Sequence, residues 1–427
     1  MSLSRRTILT GAAALPLAPA AVAETIEAIG GAVQDRLQRA IEAAQAKGGE
    51  VRLGPGEFQV DMLDVTKGVA ISGVPGQTIL RNAGGSPVLR ITGARTVSLT
   101  GITFTSAGAA GDLVNVGDST GVTVDHCQFL GGGTGLSFRD SAGAVSNCHF
   151  RHQAQTGIFS LNARGGVQVT ANRVEDIGNN GIQIWRDAKG EDGSQVLGNI
   201  VKNIAANGGG TGQNGNGISV FRAGNVMVAN NRVSDCAFSA VRNNSGDNCQ
   251  IIANSISRMG EVSIFCEFTF VGAVVSNNLI EDVAFGISIT NANEGGRLAV
   301  CSGNLVRRVK GHLASGTETG GGISAEADTL ITGNVVEEVR DFGISAGWGP
   351  YCRNVTISNN AIKACARGVV ASVSKGAGRV IIRENTITGC TSGAIFGFDH
   401  DKEKTGDLAR PDAATPANLT LSNNHVS

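Results

Sequence analysis

A short phrase recurs along most of this chain: Asn-x-Val/Ile, a few polar residues, then Gly-Ile-x-Ile. It reads Asn172-Arg173-Val174 followed by Gly181-Ile182-Gln183-Ile184, and again Asn278-Leu279-Ile280 followed by Gly286-Ile287-Ser288-Ile289. Later copies are Asn334-Val335-Val336 with Gly343-Ile344-Ser345, and Asn360-Ala361-Ile362 with Gly368-Val369-Val370. No copy is long enough to bury a core by itself, so each must stack on its neighbours in an elongated solenoid. The repeat asparagines Asn172, Asn199, Asn231, Asn254, Asn278, Asn304, Asn334, Asn360, Asn385 and Asn424 lie 23 to 39 residues apart. Intervals near the lower limit, with irregular additions, fit a three-strand rung of a right-handed parallel β-helix. A leucine-rich repeat would need a Leu-x-x-Leu-x-Leu frame, which is missing, and a propeller blade needs about 40 residues.

Two-residue alternation along a strand turns Ile182 and Ile184 inward and Gln183 and Trp185 outward. The glycine ahead of each such strand allows a backbone bend that a Cβ would hinder. The asparagines are expected to form an internal ladder at a corner. Cys127 and Cys148 stand in the asparagine slot of the two preceding copies, and Cys236, Cys365 and Cys390 each fall five residues after a repeat asparagine. Matched positions in a repeat stack in space, so these read as small buried side chains. No Cys-x2-Cys or clustered Cys/His spacing points to a metal, and no cofactor motif is found.

The expected fold is all-β: a single-stranded right-handed parallel β-helix of about 11–13 coils with an N-terminal amphipathic cap helix. Residues 1–23 read as an export signal, 24–60 as the cap and 61–427 as the β-helix. In the cap, Val33, Leu37, Ala40, Ile41 and Ala44 recur at helical spacing, Gly48-Gly49 stops the helix, and a strand follows at Glu50 to Leu53. The long intervals locate three excursions, Asn207 to Asn216, Lys310 to Gly322 and Asp399 to Ala417.

A formal charge of −1 and 4% aromatic residues argue against nucleic acid, which asks for a basic face or stacking platform. A neutral polysaccharide is compatible with both. The start reads Ser4-Arg5-Arg6-Thr7-Ile8-Leu9-Thr10, an apolar run, then Ala21-Val22-Ala23 before Glu24. The Arg5-Arg6 pair and the Ala21-x-Ala23 site mark a twin-arginine signal, so the twin-arginine (Tat) export machinery is an expected partner. The mature chain is expected in the periplasm or secreted, without stable membrane insertion, because no other stretch approaches transmembrane length.

The cap helix, the Gly-Gly stop, the turn Gly54-Pro55-Gly56-Glu57-Phe58 and the coils that follow resemble the pectate-lyase-like β-helix superfamily over essentially the whole mature chain. That group includes polysaccharide lyases, glycoside hydrolases, epimerases and phage tailspikes. With Ser4-Arg5-Arg6-Thr7-Ile8-Leu9-Thr10 in front, the chain is most similar to an uncharacterised family of twin-arginine-translocated repeat proteins. Val124-Asp125-His126-Cys127 is similar to the strand-borne Trp-Ile-Asp-His region of pectate lyases, but lacks its tryptophan. Arg-x-Pro-x-x-Arg, Asn-Thr-Asp and Gly-Asp-Asp are also missing, so the resemblance implies architecture and export without selecting a reaction.

If the Gly-Ile-x-Ile strands stack in register, the residues just after them form an outer column along one corner. Arg186, Asp187, Arg242 and Glu267 are the candidate catalytic residues in it. Trp185, Arg222, Asn243, Asn244, Glu326, Trp348, Asp399 and His400 are candidate substrate contacts. The tryptophans would stack on pyranose faces, the arginines would meet carboxylates, and the acids would move protons. Elimination needs a base and a cation beside a uronate carboxylate, whereas hydrolysis needs two carboxyls about 5–9.5 Å apart. The reading is therefore an exported lyase or hydrolase acting on an acidic or decorated polysaccharide. A non-catalytic module that binds glycan or envelope is the alternative.

Overall fold

The computed structural model describes residues 25–28, 33–84 and 87–427. The proposed signal residues Arg5, Arg6, Ala21 and Ala23 lie outside the described residues. Three sheets of 16, 15 and 15 strands run the length of the stack, each coil contributing one strand to each sheet. One coil shows the order: Val167–Thr170 in the first sheet, Arg173–Ile177 in the second and Asn180–Glu191 in the third. Successive coils pair in parallel, and the interior fills with columns of equivalent side chains. Ile158, Ile182, Ile218, Val241 and Ile264 occupy one such column in register, all fully buried.

The stack reaches about fifteen coils, more than the 11–13 that the repeat phrase marks. The earliest coils carry no phrase because Thr78 and Ile102 fill the ladder position, one residue or less ahead of the paired second-sheet strands. At the N-terminal end, the helix Val33–Lys47 buries Leu37, Ile41 and Ala44. Gln34 and Gln38 on that helix donate to the backbone carbonyls of Met62 and Asp64.

The asparagine ladder sits at the corner between the first and second sheets. Each member donates its backbone N–H and its side-chain amide to the Oδ1 of the next. Asn254 does so to Asn278 at 2.9 and 3.0 Å, and its amide also reaches the Val228 carbonyl at 3.0 Å. The residue just before each ladder position takes a left-handed conformation, as at Ala171, Asn230, Ala253 and Asn277. That sharp corner strands backbone groups which only a buried side-chain amide can satisfy. Upstream, Cys127 and Cys148 take the same slot, and the Cys148 N–H donates to Asn172 Oδ1 at 3.0 Å. All nine cysteines are free thiols, and burial pushes those of Cys249 and Cys301 up to about 12.

Asn254→Ala is accordingly expected to cost about 2–3 kcal/mol, since it takes the acceptor from the Asn231 backbone N–H and the side-chain donor from the Val228 carbonyl together. A urea titration followed by far-ultraviolet circular dichroism measures the loss. An unchanged midpoint would mean the ladder is not holding the corner.

The glycine of the phrase has a different reason from a bend. A Cβ on Gly181 would lie 2.5 Å from the Gly217 carbonyl oxygen of the next coil and 2.8 Å from Val201 Cγ1. Close approach of neighbouring coils excludes a side chain there.

Candidate functional site

Register on the third sheet divides the outer column into three separate places. In the first, Leu161, Trp185, Phe221 and Asn244 align on successive strands. Trp185 is packed edge-on to Phe159 at 5.7 Å and tilted against Phe221 at 5.5 Å. Its indole N–H donates to Ser219 Oγ at 3.2 Å. The Arg222 guanidinium lies 4.7 Å from the Phe221 ring centre and donates to the Asp187 carbonyl at 2.6 Å. Arg186 donates to the Ala163 carbonyl and faces the buried Asp192 at 3.9 Å. Asp187 instead accepts from the Asn162 amide at 2.9 Å. Adjacent in sequence, Arg186 and Asp187 are held by different partners and do not act on one point.

The second place is a closed ion cluster. Arg242 grips Glu267 with two bonds, Nε to Oε1 at 2.7 Å and Nη2 to Oε2 at 2.9 Å. Its Nη1 donates to Glu261 Oε2 at 3.0 Å, and the guanidinium lies 5.0 Å from the Phe265 ring centre. The Asn244 amide completes the shell, donating to Glu267 at 3.1 Å. The excursion Asn207 to Asn216 folds over this group. Gly212, at φ +129°, lies so close to the guanidinium that no Cβ would fit. Only 12% of the Arg242 side chain and 4% of Glu267 is exposed. Burial pushes the Glu261 carboxyl above its ordinary range, against the pull of Arg242.

This corrects the expectation that Arg242 and Glu267 offer an open acid and cation, since both are saturated and covered. Asn243 is also corrected. Alternation within the strand Val241–Asn244 turns it inward, fully buried, where it bonds the backbone of Gly246 at 3.0 and 3.1 Å.

The third place is an open cleft of about 540 Å³. Its floor is the third sheet at the strands Phe285–Ile289, Gly321–Ala325, Phe342–Ala346 and Arg367–Ser372. One wall is Thr317 to Thr319 of the second excursion; the other comprises Trp348, His400 and Asp401. The two excursions leave opposite edges of the sheet, one before its strand and one after, so a trough lies between them. Five rungs at about 4.8 Å each place it roughly 24 Å along the stack from the Trp185 strand.

Within the cleft, Trp348 is 51% exposed and stands edge-on to His400 at 5.5 Å. The Asp399 carboxylate is 2.9 Å from His400 Nδ1. The Ser374 hydroxyl, and after it His400, hold that carboxyl below the usual range. Glu326 accepts from the Ala292 N–H at 2.7 Å. Burial is the largest influence on Glu326 and pushes its carboxyl up, while the backbone donors of Ala292 and Asn291 pull it back. The structure thus brings Glu326, Trp348 and His400 together along the cleft, with Asp399 bonded to His400 but not lining it, and leaves Arg186, Asp187 and Arg242 elsewhere.

Asp341, Phe342 and Arg367 also line the cleft. Sequence reasoning missed them because it looked only after Gly-Ile-x-Ile. They stand just before the equivalent glycines, Gly343 and Gly368, and hence at the opposite edge of the same sheet. Among the described residues, no three His, Cys, Asp or Glu side chains are grouped to hold a metal ion, and no helix is long and apolar enough to cross a membrane.

The fold and the continuous three-sheet stack define a parallel β-helix protein. The family described as "right handed beta helix region" matches residues 76–201 and 298–405, more than half of the chain, and the protein belongs to it. No curated protein matches it in sequence. Among solved structures, it is similar to a tailspike protein from an Escherichia coli bacteriophage, with 15% identity over 73% of this chain and a TM-score of 0.48. The catalytic unit of an α-1,3-glucanase from Streptomyces thermodiastaticus aligns over 92% of this chain at 15% identity and a TM-score of 0.47. The A-module of a mannuronan C-5 epimerase from Azotobacter vinelandii aligns over 92% at 17% identity and a TM-score of 0.40. The chain spans 42% of the tailspike's length, 65% of the glucanase's and 95% of the epimerase module's.

Proposed function

We propose that the protein binds a polysaccharide in the cleft between the Lys310 to Gly322 and Asp399 to Ala417 excursions and hydrolyses it, with Glu326 as proton donor. The observation that carries this reading is a carboxyl raised by burial in a trough that also presents an exposed tryptophan. A general acid needs a pKa lifted toward working pH, and burial is the usual means. Trp348 supplies an apolar face for a pyranose ring, and Ser324, Ser345 and Thr290 supply hydroxyls along the floor. The second carboxylate that hydrolysis requires is drawn from Asp341 or Asp401 on the same walls. Elimination is the weaker reading, because the cleft's one arginine, Arg367, is bound to Glu403 at 3.0 Å and stacked 5.3 Å from the Phe398 ring centre.

The test is titration of wild type and Trp348→Ala against a panel of soluble polysaccharides, with product analysis. The wild type should bind and cleave at least one of them, and Trp348→Ala should weaken that binding about tenfold, the loss of roughly 1.4 kcal/mol of aromatic contact. Binding that ignores Trp348 would overturn the site, and retention without product would make the protein a glycan-binding module.

Export belongs to the same proposal: the chain leaves the cytoplasm through the Tat machinery and is cleaved after Ala23. Mass spectrometry of the extracytoplasmic protein should find Glu24 at its N-terminus, and Lys in place of both Arg5 and Arg6 should hold the precursor inside.

A further inference from the structure

We propose that the glycan taken by this cleft carries protonated amines, as in a hexosamine polymer that is not N-acylated, and is not a polyuronate. The inference rests on the proposed glycan cleft and names its substrate class. The sign of the charge left unpaired along the walls carries it.

Four carboxylates line the cleft: Glu318, Glu326, Asp341 and Asp401. Only Glu318 has cationic partners, His312 at 2.6 Å and Arg340 at 3.1 Å. Asp341 accepts just a backbone bond, from the Gly320 N–H at 2.7 Å, and Glu326 likewise from Ala292. Among the described residues, no lysine, arginine or histidine forms an ion pair with Glu326, Asp341 or Asp401. The cations nearby are engaged elsewhere: Arg367 by Glu403, Arg340 by Glu318, and His400 beside Asp399. Lys402 and Lys404 belong to the same excursion as His400 but do not line the trough.

A uronate entering here would meet the uncompensated charges of Asp341 and Asp401, and like charges repel, while Glu326, held as the protonated acid, adds no charge. An ammonium group meets the opposite situation. It gains the carboxylates of Asp341 and Asp401 and also the faces of Trp348 and Phe342, which attract cations through the ring quadrupole. A neutral sugar would gain only the stacking. The proposal departs from the expectation of an acidic or decorated polysaccharide, drawn from arginines along the corner, because those arginines are paired or lie outside the cleft.

The experiment compares four probes by calorimetry at low salt and at a pH where amines are protonated: a glucosamine oligomer, the same oligomer after full N-acetylation, oligogalacturonate and a lysine oligomer. The glucosamine oligomer should bind at least about tenfold more tightly than its acetylated form, a difference of roughly 1.4 kcal/mol. Added salt should erode that preference. Asp341→Asn combined with Asp401→Asn should bring the glucosamine oligomer's affinity down to that of the acetylated one, with circular dichroism confirming the fold; the readout is the ratio of the two affinities and not turnover, since one of these carboxyls is also the proposed second carboxylate of hydrolysis. Trp348→Ala should weaken both oligomers, the glucosamine oligomer more, because it loses the cation–π contact as well as the stacking.

Equal affinity for the two oligomers, or preference for oligogalacturonate, would overturn the charge inference while the glycan reading stands. No binding of any sugar, acidic or basic, would bring down the glycan reading itself. Lysine oligomers that bind as tightly as the glucosamine oligomer would overturn the glycan as occupant.

Discussion

Arg242→Met is expected to destabilise the protein by about 3–5 kcal/mol, a large fraction of a typical folding free energy. Methionine keeps most of the aliphatic stem but removes the guanidinium that lies over Phe265 and is the one cation shared by Glu261 and Glu267. Two carboxyls would then remain in a site where their side chains are 7% and 4% exposed. Removing one partner of a buried ion pair costs far more than the pair contributes, because the abandoned charges cannot reach water. The loss should be greatest above neutral pH and shrink on acidification, since Glu261, already displaced upward by burial in the intact protein, then takes up a proton and one of the abandoned charges is relieved. Differential scanning calorimetry across pH measures the effect. Hydrogen exchange should place the loosening at Asn207 to Asn216, because that excursion closes over the guanidinium, and a solenoid can open locally. A folded variant of wild-type stability that had lost glycan binding would contradict this account and return Arg242 to the binding surface.

The same cluster shows how far the sequence could be read. Columns are legible because each repeat position stacks on its equivalents, so Ile182 predicts the burial of Ile218 and Ile264 without any further information. The asparagine slot is legible for the same reason, and so are the cysteines that replace it. What fails is any conclusion that depends on an excursion. Alternation does turn Arg242 outward, yet it is largely covered because a Gly-rich segment folds back over it, and no periodicity encodes where a loop lands. Asn243 fails on parity alone: it counts among the residues just after a strand, whereas the strand Val241–Asn244 includes it and turns it inward. The cleft itself was half visible. The two long intervals announced excursions, but only the sheet places them on opposite edges of one trough, with Asp341 and Arg367 brought up on the unexamined side.

Glu326→Gln is expected to lower kcat by about 10²–10⁴ while changing glycan affinity little, the signature of a lost general acid rather than a lost contact. Glutamine keeps the size of the side chain and an oxygen for the Ala292 N–H, so the backbone bond survives. Its effect on stability has the opposite sign. Burial raises the folded-state pKa of Glu326 above its unfolded value, and the native state therefore holds more protons than the unfolded one between those two values. Stability contributed by the protonated carboxyl is fully present below the unfolded value, near 4.3, and is lost as pH rises through the folded one. Glutamine cannot ionise, so Glu326→Gln should melt higher than wild type at neutral pH, and the difference should vanish on acidification below that window. Wild-type turnover should fall along the alkaline limb that the same raised pKa sets, because only the protonated acid can donate. A variant that is stabilised at neutral pH and inactive on glycan ties both properties to one buried proton. A variant stabilised but still fully active would leave Glu326 as a buried carboxyl without a part in the reaction, and the proton donor would then have to be Asp341 or Asp401.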